Sequence, residues 1–291
     1  MQNINTIKEA VLACIDGSKY SEAVCEYGLY IAKELKLPLV LLNTIEHTHI
    51  SSKSDLSGSI GFGERDTLLN DLSDEDAVES KKLINNGKDI LKSLKEKVIN
   101  SGFEDVVISQ RHGTLYENLK ELEEKMRVVL FGISGVDHNS DIMEIGSQVE
   151  NIIRDVNVPI ILVNKEYSPI KNVMIAFNGE SGSTRALEEV SSSPMLGRDI
   201  KRFVINICND TKKSQELIEN AKEIIQDKTL NCEFISKSGD PLEEILNSQK
   251  SNNIDIMAIG SYSHGKLKTA LFGSFTTKLI QNVKIPLIIL K

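Results

Sequence analysis

The chain has 291 residues, 40% hydrophobic and 26% charged, which is typical of a globular protein with one large or two ordinary domains. Its 34 basic and 42 acidic residues give a formal net charge of −8, which argues against a broad nucleic-acid or anionic-membrane surface. The N-terminal sequence lacks the apolar core of a signal peptide, and no apolar run approaches the ~18 residues of a membrane span. We therefore expect a cytoplasmic protein with neither a nucleic-acid nor a membrane partner.

The cysteines and histidines show no pattern typical of a metal site. The four cysteines lack CxxC spacing and have no histidine partners at the spacing of zinc ligands. Each lies in an apolar segment, so we interpret all four as buried free thiols. The histidines are scattered, and we expect neither a metal site nor a catalytic residue among them. The cysteines are Cys14, Cys25, Cys208 and Cys232.

The first half of the chain alternates apolar strand patterns with amphipathic helix patterns, which is typical of βαβ units. The strands are almost wholly apolar, which indicates a parallel sheet that is covered on both faces. A turn with a helix cap is predicted at Asp16, Gly17 and Ser18, directly after the first strand. The predicted strands are residues 10–15, 39–45, 105–109, 128–131 and 159–163, and the predicted helices are residues 21–35, 76–100, 115–126 and 148–154.

One segment, residues 46–74, interrupts this alternation. It is rich in Ser, Gly, Asp and Lys and shows little sustained periodicity. A segment of this length inside a compact domain is typical of a functional lid, an interaction arm or a mobile loop. Leu68, Leu69 and Leu72 are spaced to form one short helical turn. The sequence leaves the role of the segment open.

The same alternation starts again after a short connector at residues 164–170. Asn178 and Gly179 form a turn after the first strand of this half, and Pro241 begins a helix at an allowed early position. The predicted strands are residues 172–177, 202–207, 232–236, 254–259 and 286–290, and the predicted helices are residues 183–190, 214–225, 241–246 and 275–280.

The two halves are copies of one unit. The segments AVLACIDGS, VVLFGISG and IGSQVENIIRDVNVPIILVNK of the first half match VMIAFNGES, IMAIGSYS and FGSFTTKLIQNVKIPLIILK of the second. We therefore predict two domains, residues 1–165 with the insertion at 46–74, and residues 166–291.

A glycine-rich loop follows the fourth strand of each half and leads into a helix. In this arrangement the backbone N–H groups and the helix dipole can hold a phosphate, and the glycines let the backbone approach it closely. The second loop adds a histidine and two lysines, whereas three acidic residues crowd the first. The candidate nucleotide-binding residues are Gly132, Gly135, Gly146 and Ser147 in the first loop and Gly260, Ser263, His264, Gly265, Gly273 and Ser274 in the second.

With both loops considered, the chain resembles the universal stress protein family in its tandem two-domain form. The motif of that family is a glycine, two residues, a second glycine, nine residues, and then Gly-Ser or Gly-Thr, after the fourth strand. In the second repeat Gly260, Gly273 and Ser274 fall in this register, and Ser263 takes the position of the second glycine. The resemblance covers nearly the whole chain outside the insertion.

The first repeat departs from the motif at other positions. Gly132 and Gly135 match, whereas Gly146 arrives one residue late. Nucleotide-binding members of the family carry an aspartate at the end of the first strand; Asp16 takes this position here, and Asn178 replaces it in the second repeat. The Asp16 carboxylate has three open roles: accepting from a ribose hydroxyl, holding Mg²⁺, or capping the first helix.

The resemblance implies a fold, a ligand and a mode of pairing. The fold is α/β, with two repeated open five-stranded parallel sheets of strand order 3-2-1-4-5 and helices on both faces. The ligand is an adenine nucleotide, ATP or AMP, with Mg²⁺, at the carboxyl ends of strands one and four. The fifth strands of family members often mediate dimerisation, which implies intramolecular pairing of the two repeats, or a homodimer.

Three functions are open at this stage. The first is a non-enzymatic stress-response protein that responds to ATP or a related nucleotide in one or both repeats. The second is a nucleotide-independent interaction scaffold, and the third is a weak ATPase. The sequence shows no Walker lysine, arginine finger or water-positioning acid, so hydrolysis has the least support. Which repeat binds the ligand is also open. The positively charged loop of the second repeat is better suited to phosphate, whereas Asp16 of the first repeat is better suited to hold the ribose.

Overall fold

The computed structural model of the chain describes residue 4 and residues 7–46, 62–133, 147–260 and 274–291. In these ranges strands and helices alternate twice through the same series. The first series is β1 (Ala10–Cys14), α1 (Ser21–Leu35), β2 (Leu39–Ile45), α2 (Phe62–Asn100), β3 (Val106–His112), α3 (Leu115–Leu122), β4 (Met126–Gly132), α4 (Ser147–Asp155) and β5 (Ile160–Val163). The second is β6 (Asn172–Ala176), α5 (Ser181–Ser192), β7 (Lys201–Ile207), α6 (Thr211–Ile224), β8 (Cys232–Lys237), α7 (Pro241–Ser251), β9 (Ile256–Gly260), α8 (Ser274–Asn282) and β10 (Leu287–Leu290).

The ten strands form one continuous sheet in the order β3-β2-β1-β4-β5-β10-β9-β6-β7-β8. Within each repeat the strand order is 3-2-1-4-5, as expected. The two five-stranded units are not separate sheets, because β5 pairs with β10 in antiparallel register and places Ile161 opposite Ile288. The repeats therefore pair within the chain through their fifth strands. Every residue of β5 and β10 is buried, as expected for apolar strands that are covered on both faces.

Helices cover both faces of the sheet. One face packs against α1, α2, α5 and α6, with Tyr27 and Ile31 of α1 in its core. The other face packs against α3, α4, α7 and α8, with Leu119, Ile152 and Ile280 in its core. The second of these faces is the one on which the candidate site lies.

The sequence predicted an irregular segment over residues 46–74. This prediction is wrong for residues 62–74, which are helical. Helix α2 begins at Phe62 and has 39 residues, so it includes the last part of that segment and is about 58 Å long. No proline lies between Pro38 and Pro159, so nothing in the sequence forces the helix to begin later. Residues 47–61 lie outside the described part of the chain.

Several other element ends differ from the sequence expectations. Helix α7 continues to Ser251 rather than ending at residue 246, because its last turns are polar and carry no apolar signal. Strand β3 extends to His112, and α3 ends at Leu122 before a short 3-10 turn leads into β4. These differences lengthen the elements without changing the fold.

The cysteine expectation is confirmed for two thiols only. Cys14 and Cys25 are buried, whereas Cys208 and Cys232 are partly exposed. Burial raises the pKa of the Cys25 thiol to about 12, so this group stays protonated at neutral pH. No helix in the described ranges combines the length and the apolar character that a membrane span requires.

Side chains of the first repeat also contact the second repeat outside the sheet. The Tyr30 hydroxyl of α1 donates to the Leu196 carbonyl at 2.6 Å, and Arg127 forms an ion pair with Glu189 at 2.5 Å. The Tyr27 ring packs edge-on against Tyr167, with 4.8 Å between ring centroids. The two tyrosine contacts fix α1 against the second repeat, and the Arg127 ion pair links β4 to it.

We expect Tyr30→Phe to lower the free energy of unfolding by about 1–2 kcal/mol, because it leaves the carbonyl of the buried Leu196 without its donor. Tyr116→Phe is the matched control. It removes a hydroxyl bond to Asp155 at 3.1 Å on a partly exposed side chain and should change stability by less than about 0.5 kcal/mol. Urea denaturation followed by circular dichroism measures both. Equal effects would contradict a special role for the Tyr30 contact.

Candidate functional site

A cavity of about 290 Å³ lies at the carboxyl ends of the strands in the second repeat. Its walls come from β6, β7 and β9, from the turn after β6, and from the N-terminal parts of α5, α7 and α8. Most of the lining side chains are apolar, and the polar ones are concentrated in the turn after β6. The lining residues are Ala176, Phe177, Asn178, Glu180, Gly182, Ser183, Ile205, Ile207, Pro241, Ile245, Ile259, Gly260, Phe275, Thr276 and Leu279.

The turn after β6 is held by Asn178. Its Oδ1 accepts a hydrogen bond from the Glu180 N–H at 3.1 Å, and its Nδ2 donates to Glu180 Oε2 at 2.9 Å. Gly179 adopts φ +80°, a left-handed conformation that favours glycine. Ser183 Oγ accepts from the Asn178 N–H at 3.3 Å and donates to the Glu180 carbonyl at 2.9 Å. These contacts give the rim of the cavity a fixed shape.

Asp16 holds the equivalent turn of the first repeat in the same way. Its Oδ1 accepts from the Ser18 N–H and from Ser21 Oγ, both at 2.9 Å, and Gly17 adopts φ +82°. The expectation of a helix cap within residues 16–18 is wrong. The N-cap of α1 is Tyr20, which makes no side-chain capping bond. Because one side-chain oxygen suffices to hold the turn, asparagine can replace aspartate at position 178.

Gly260, at the end of β9, packs directly against the backbone of α5. A Cβ atom on Gly260 would lie 2.0 Å from the carbonyl carbon and oxygen of Gly182 and 2.5 Å from the Ser183 nitrogen. The equivalent Gly132 has more space, because a Cβ there would meet the Tyr20 side chain at 3.3 Å. Glycine at position 260 is therefore required by packing.

A buried asparagine supports each turn from the neighbouring strand. Asn43 Nδ2 donates to the Ile15 carbonyl at 2.7 Å, and Asn206 Nδ2 donates to the Phe177 carbonyl at 2.8 Å. Ile15 and Phe177 directly precede Asp16 and Asn178, so both repeats fix the end of the first strand by the same bond. The sequence analysis missed this pair. The available signal was a polar residue at the same position of two otherwise apolar strands.

The Cys14 thiol, next to the turn of the first repeat, is not activated as a nucleophile. Burial, and secondarily the charge of Asp16, raises the pKa of the Cys14 thiol well above its usual range, so this thiol is a poor nucleophile. Within the described ranges, no group of three or more His, Cys, Asp or Glu residues is arranged to hold a metal ion.

Comparison with known proteins relates this architecture to a family. The model of the universal stress protein family matches residues 9–164 and, a second time, residues 169–291. The chain belongs to the universal stress protein family. The two matches correspond to the two halves of the ten-stranded sheet, so this is a universal stress protein with two tandem repeats.

Individual relatives agree with this assignment. A universal stress protein of Synechocystis is 24% identical over 282 residues, which cover 96% of this chain and 98% of the relative. A universal stress protein of Bacillus subtilis is 33% identical over 92 residues, which cover 31% of this chain and 62% of the relative. The crystal structure of a universal stress protein from Archaeoglobus fulgidus superimposes with a TM-score of 0.69 at 20% identity and covers 98% of both chains, which shows a shared fold.

The structure places only some of the predicted nucleotide-binding residues of this universal stress protein. Asp16 and Gly132 lie at neighbouring strand ends, where Ser18 beside Asp16 approaches Gly132, and Gly260 lies beside the Asn178 turn. Ser147 and Ser274 are the first residues of α4 and α8, one residue before the predicted helix starts at 148 and 275. The others lie outside the described residues: Gly135, Gly146, Ser263, His264, Gly265 and Gly273. A ligand role for the whole set stays a prediction.

We expect Gly260→Ala to destabilise the protein by about 3 kcal/mol or more, because the added methyl group overlaps backbone atoms that cannot move independently. The matched Gly132→Ala should cost about 1 kcal/mol or less, because the nearest atom, Tyr20 Cβ, would lie 3.3 Å away and needs to move only slightly. Urea denaturation of both variants measures the difference. A similar loss in the two would show that the contact between Gly182 and Gly260 does not limit stability.

Proposed function

We propose that the chain binds an adenine nucleotide in the cavity of the second repeat and acts as a nucleotide-responsive stress protein without an enzymatic step. The observation that carries this proposal is the cavity of about 290 Å³ at the carboxyl ends of β6, β7 and β9. Open α/β sheets bind ligands at this edge, where the strand order reverses between the first and fourth strands. The resemblance of the sequence to nucleotide-binding members of the family supports the choice of ligand.

The walls of the cavity suit a flat, largely apolar base. Ile205, Ile245 and Leu279 are almost fully buried and face the cavity, and Phe275 lies at its edge with 38% of its surface exposed. Small-molecule sites combine such walls with a few polar groups that fix orientation. Asn178 supplies polar groups at the rim, in the position that the family motif gives to aspartate.

The phosphates are expected on the side of the cavity where α8 begins. The first turn of α8 contains no acidic residue, whereas the first turn of α4 in the first repeat contains Glu150. A helix N-terminus attracts anions, and a carboxylate in its first turn weakens that attraction. Glu180 also lines the cavity, and its carboxylate disfavours phosphate beside the turn after β6. Mg²⁺, if required, would then be held mainly by the phosphates.

A pair of matched tryptophan substitutions tests the site. Ile207 lines the cavity at the end of β7, and Thr44 is its equivalent at the end of β2; both are partly exposed. We expect Ile207→Trp to fill the cavity and weaken ATP or AMP binding at least about tenfold, equivalent to about 1.4 kcal/mol. Thr44→Trp should leave the affinity unchanged. Isothermal titration calorimetry measures both, and the natural chain contains no tryptophan, so each new indole also serves as a fluorescent reporter.

The outcomes separate the competing functions. Failure of the unsubstituted protein to bind ATP or AMP at millimolar concentration would favour a nucleotide-independent scaffold. Loss of binding in Thr44→Trp but not in Ile207→Trp would move the ligand to the first repeat. Phosphate release from ATP and Mg²⁺ above the buffer rate would contradict the absence of an enzymatic step.

A further inference from the structure

The two repeats differ in the size of one side chain beside the strand ends. The equivalent turns run from Asp16 to Ser21 in the first repeat and from Asn178 to Ser183 in the second. The residue before each serine is Tyr20 in one turn and Gly182 in the other. A large aromatic side chain therefore stands in the first repeat where the second repeat has no side chain.

The Tyr20 side chain lies over the end of β4. Its Cβ and Cδ2 atoms would be 3.3 Å and 3.6 Å from a Cβ on Gly132. It packs against the core on the α3 and α4 face, and Lys19 Nζ lies 5.0 Å from the ring centroid. In the second repeat the corresponding pair, Gly182 and Gly260, lines the cavity. The Tyr20 ring thus lies beside the strand ends that border open space in the other repeat.

A second contact lies at the same end of the strands in the first repeat. Gln148 Nε2, in the first turn of α4, donates to Glu46 Oε1 at 2.8 Å and links that helix to the end of β2. The residue equivalent to Gln148 is Phe275, which lines the cavity of the second repeat. Glu46 also brings a carboxylate to the side of the first repeat where phosphates would lie.

We propose that Tyr20 closes the first repeat to nucleotide, so that the chain binds one nucleotide, in the second repeat. This inference takes its ligand from the proposed function. The role of Tyr20 is assigned from contacts within the first repeat. Replacing Tyr20 by the residue of the second repeat should therefore create a second site. Tyr20 occupies the N-cap of α1, where glycine is well tolerated.

The test is the number of ATP molecules bound per chain, measured by calorimetry on the full-length protein. We expect one for the unsubstituted protein, two for Tyr20→Gly, and one for Tyr20→Phe, which keeps the ring. In Tyr20→Gly the added site should be lost on Thr44→Trp and the original site on Ile207→Trp. Thermal unfolding verifies that each variant is folded, and Tyr20→Ala replaces the glycine variant if that one is not.

The outcomes for this inference differ from those for the proposed function. Two ATP molecules on the unsubstituted protein, or only one on a folded Tyr20→Gly, would overturn the role of Tyr20 while leaving nucleotide binding intact. No ATP on the unsubstituted protein but one on Tyr20→Gly would support the role of Tyr20 and overturn the site in the second repeat. No ATP on either protein would overturn both.

Discussion

The antiparallel pairing of β5 with β10 determines the direction in which each repeat faces. The strands inside a repeat are parallel to one another, so this single antiparallel step reverses all five strands of the second repeat relative to those of the first. The carboxyl ends of the two sets of strands therefore lie at opposite edges of one sheet. The turns at Asp16 and Asn178 are separated by that geometry, and a ligand beside one turn has no direct contact with the other. Two sites on this scaffold would be independent in their immediate surroundings.

The same contacts support the turn after the first strand in both repeats. The residue that packs beside the turn differs. Asn43 and Asn206 make the same buried bond, and Gly17 and Gly179 adopt the same left-handed conformation. A buried amide without its acceptor is costly, which explains why this arrangement persists in both repeats although their sequences have diverged. The repeats differ in the residue packed beside this frame, which is the partly buried Tyr20 in one repeat and the buried Gly182 in the other. The contacts that support the turn are thus the same in both repeats, whereas the residue packed beside it differs.

The order and number of the elements followed from the sequence, because long apolar strands and repeated segments are strong local signals. The start of α2 and the end of α7 did not, since polar turns beyond the apolar pattern carry little information about where a helix begins or ends. The motif placed Gly260 beside a phosphate, but its observed contact is with Gly182, and a contact between residues far apart in the chain is visible only in the fold. For the same reason the sequence did not reveal that the Tyr20 ring lies against β4.

The covalent connection between the two repeats has a consequence for their evolution. In a symmetric dimer of identical subunits, each substitution appears on both sides of the twofold axis, so one site cannot be closed while its copy stays open. The β5–β10 pairing resembles such a dimer interface, but here it joins two different sequences. A chain with two tandem repeats is equivalent to a heterodimer whose two subunits are always joined one to one. Either half is then free to lose or change a ligand without altering its partner.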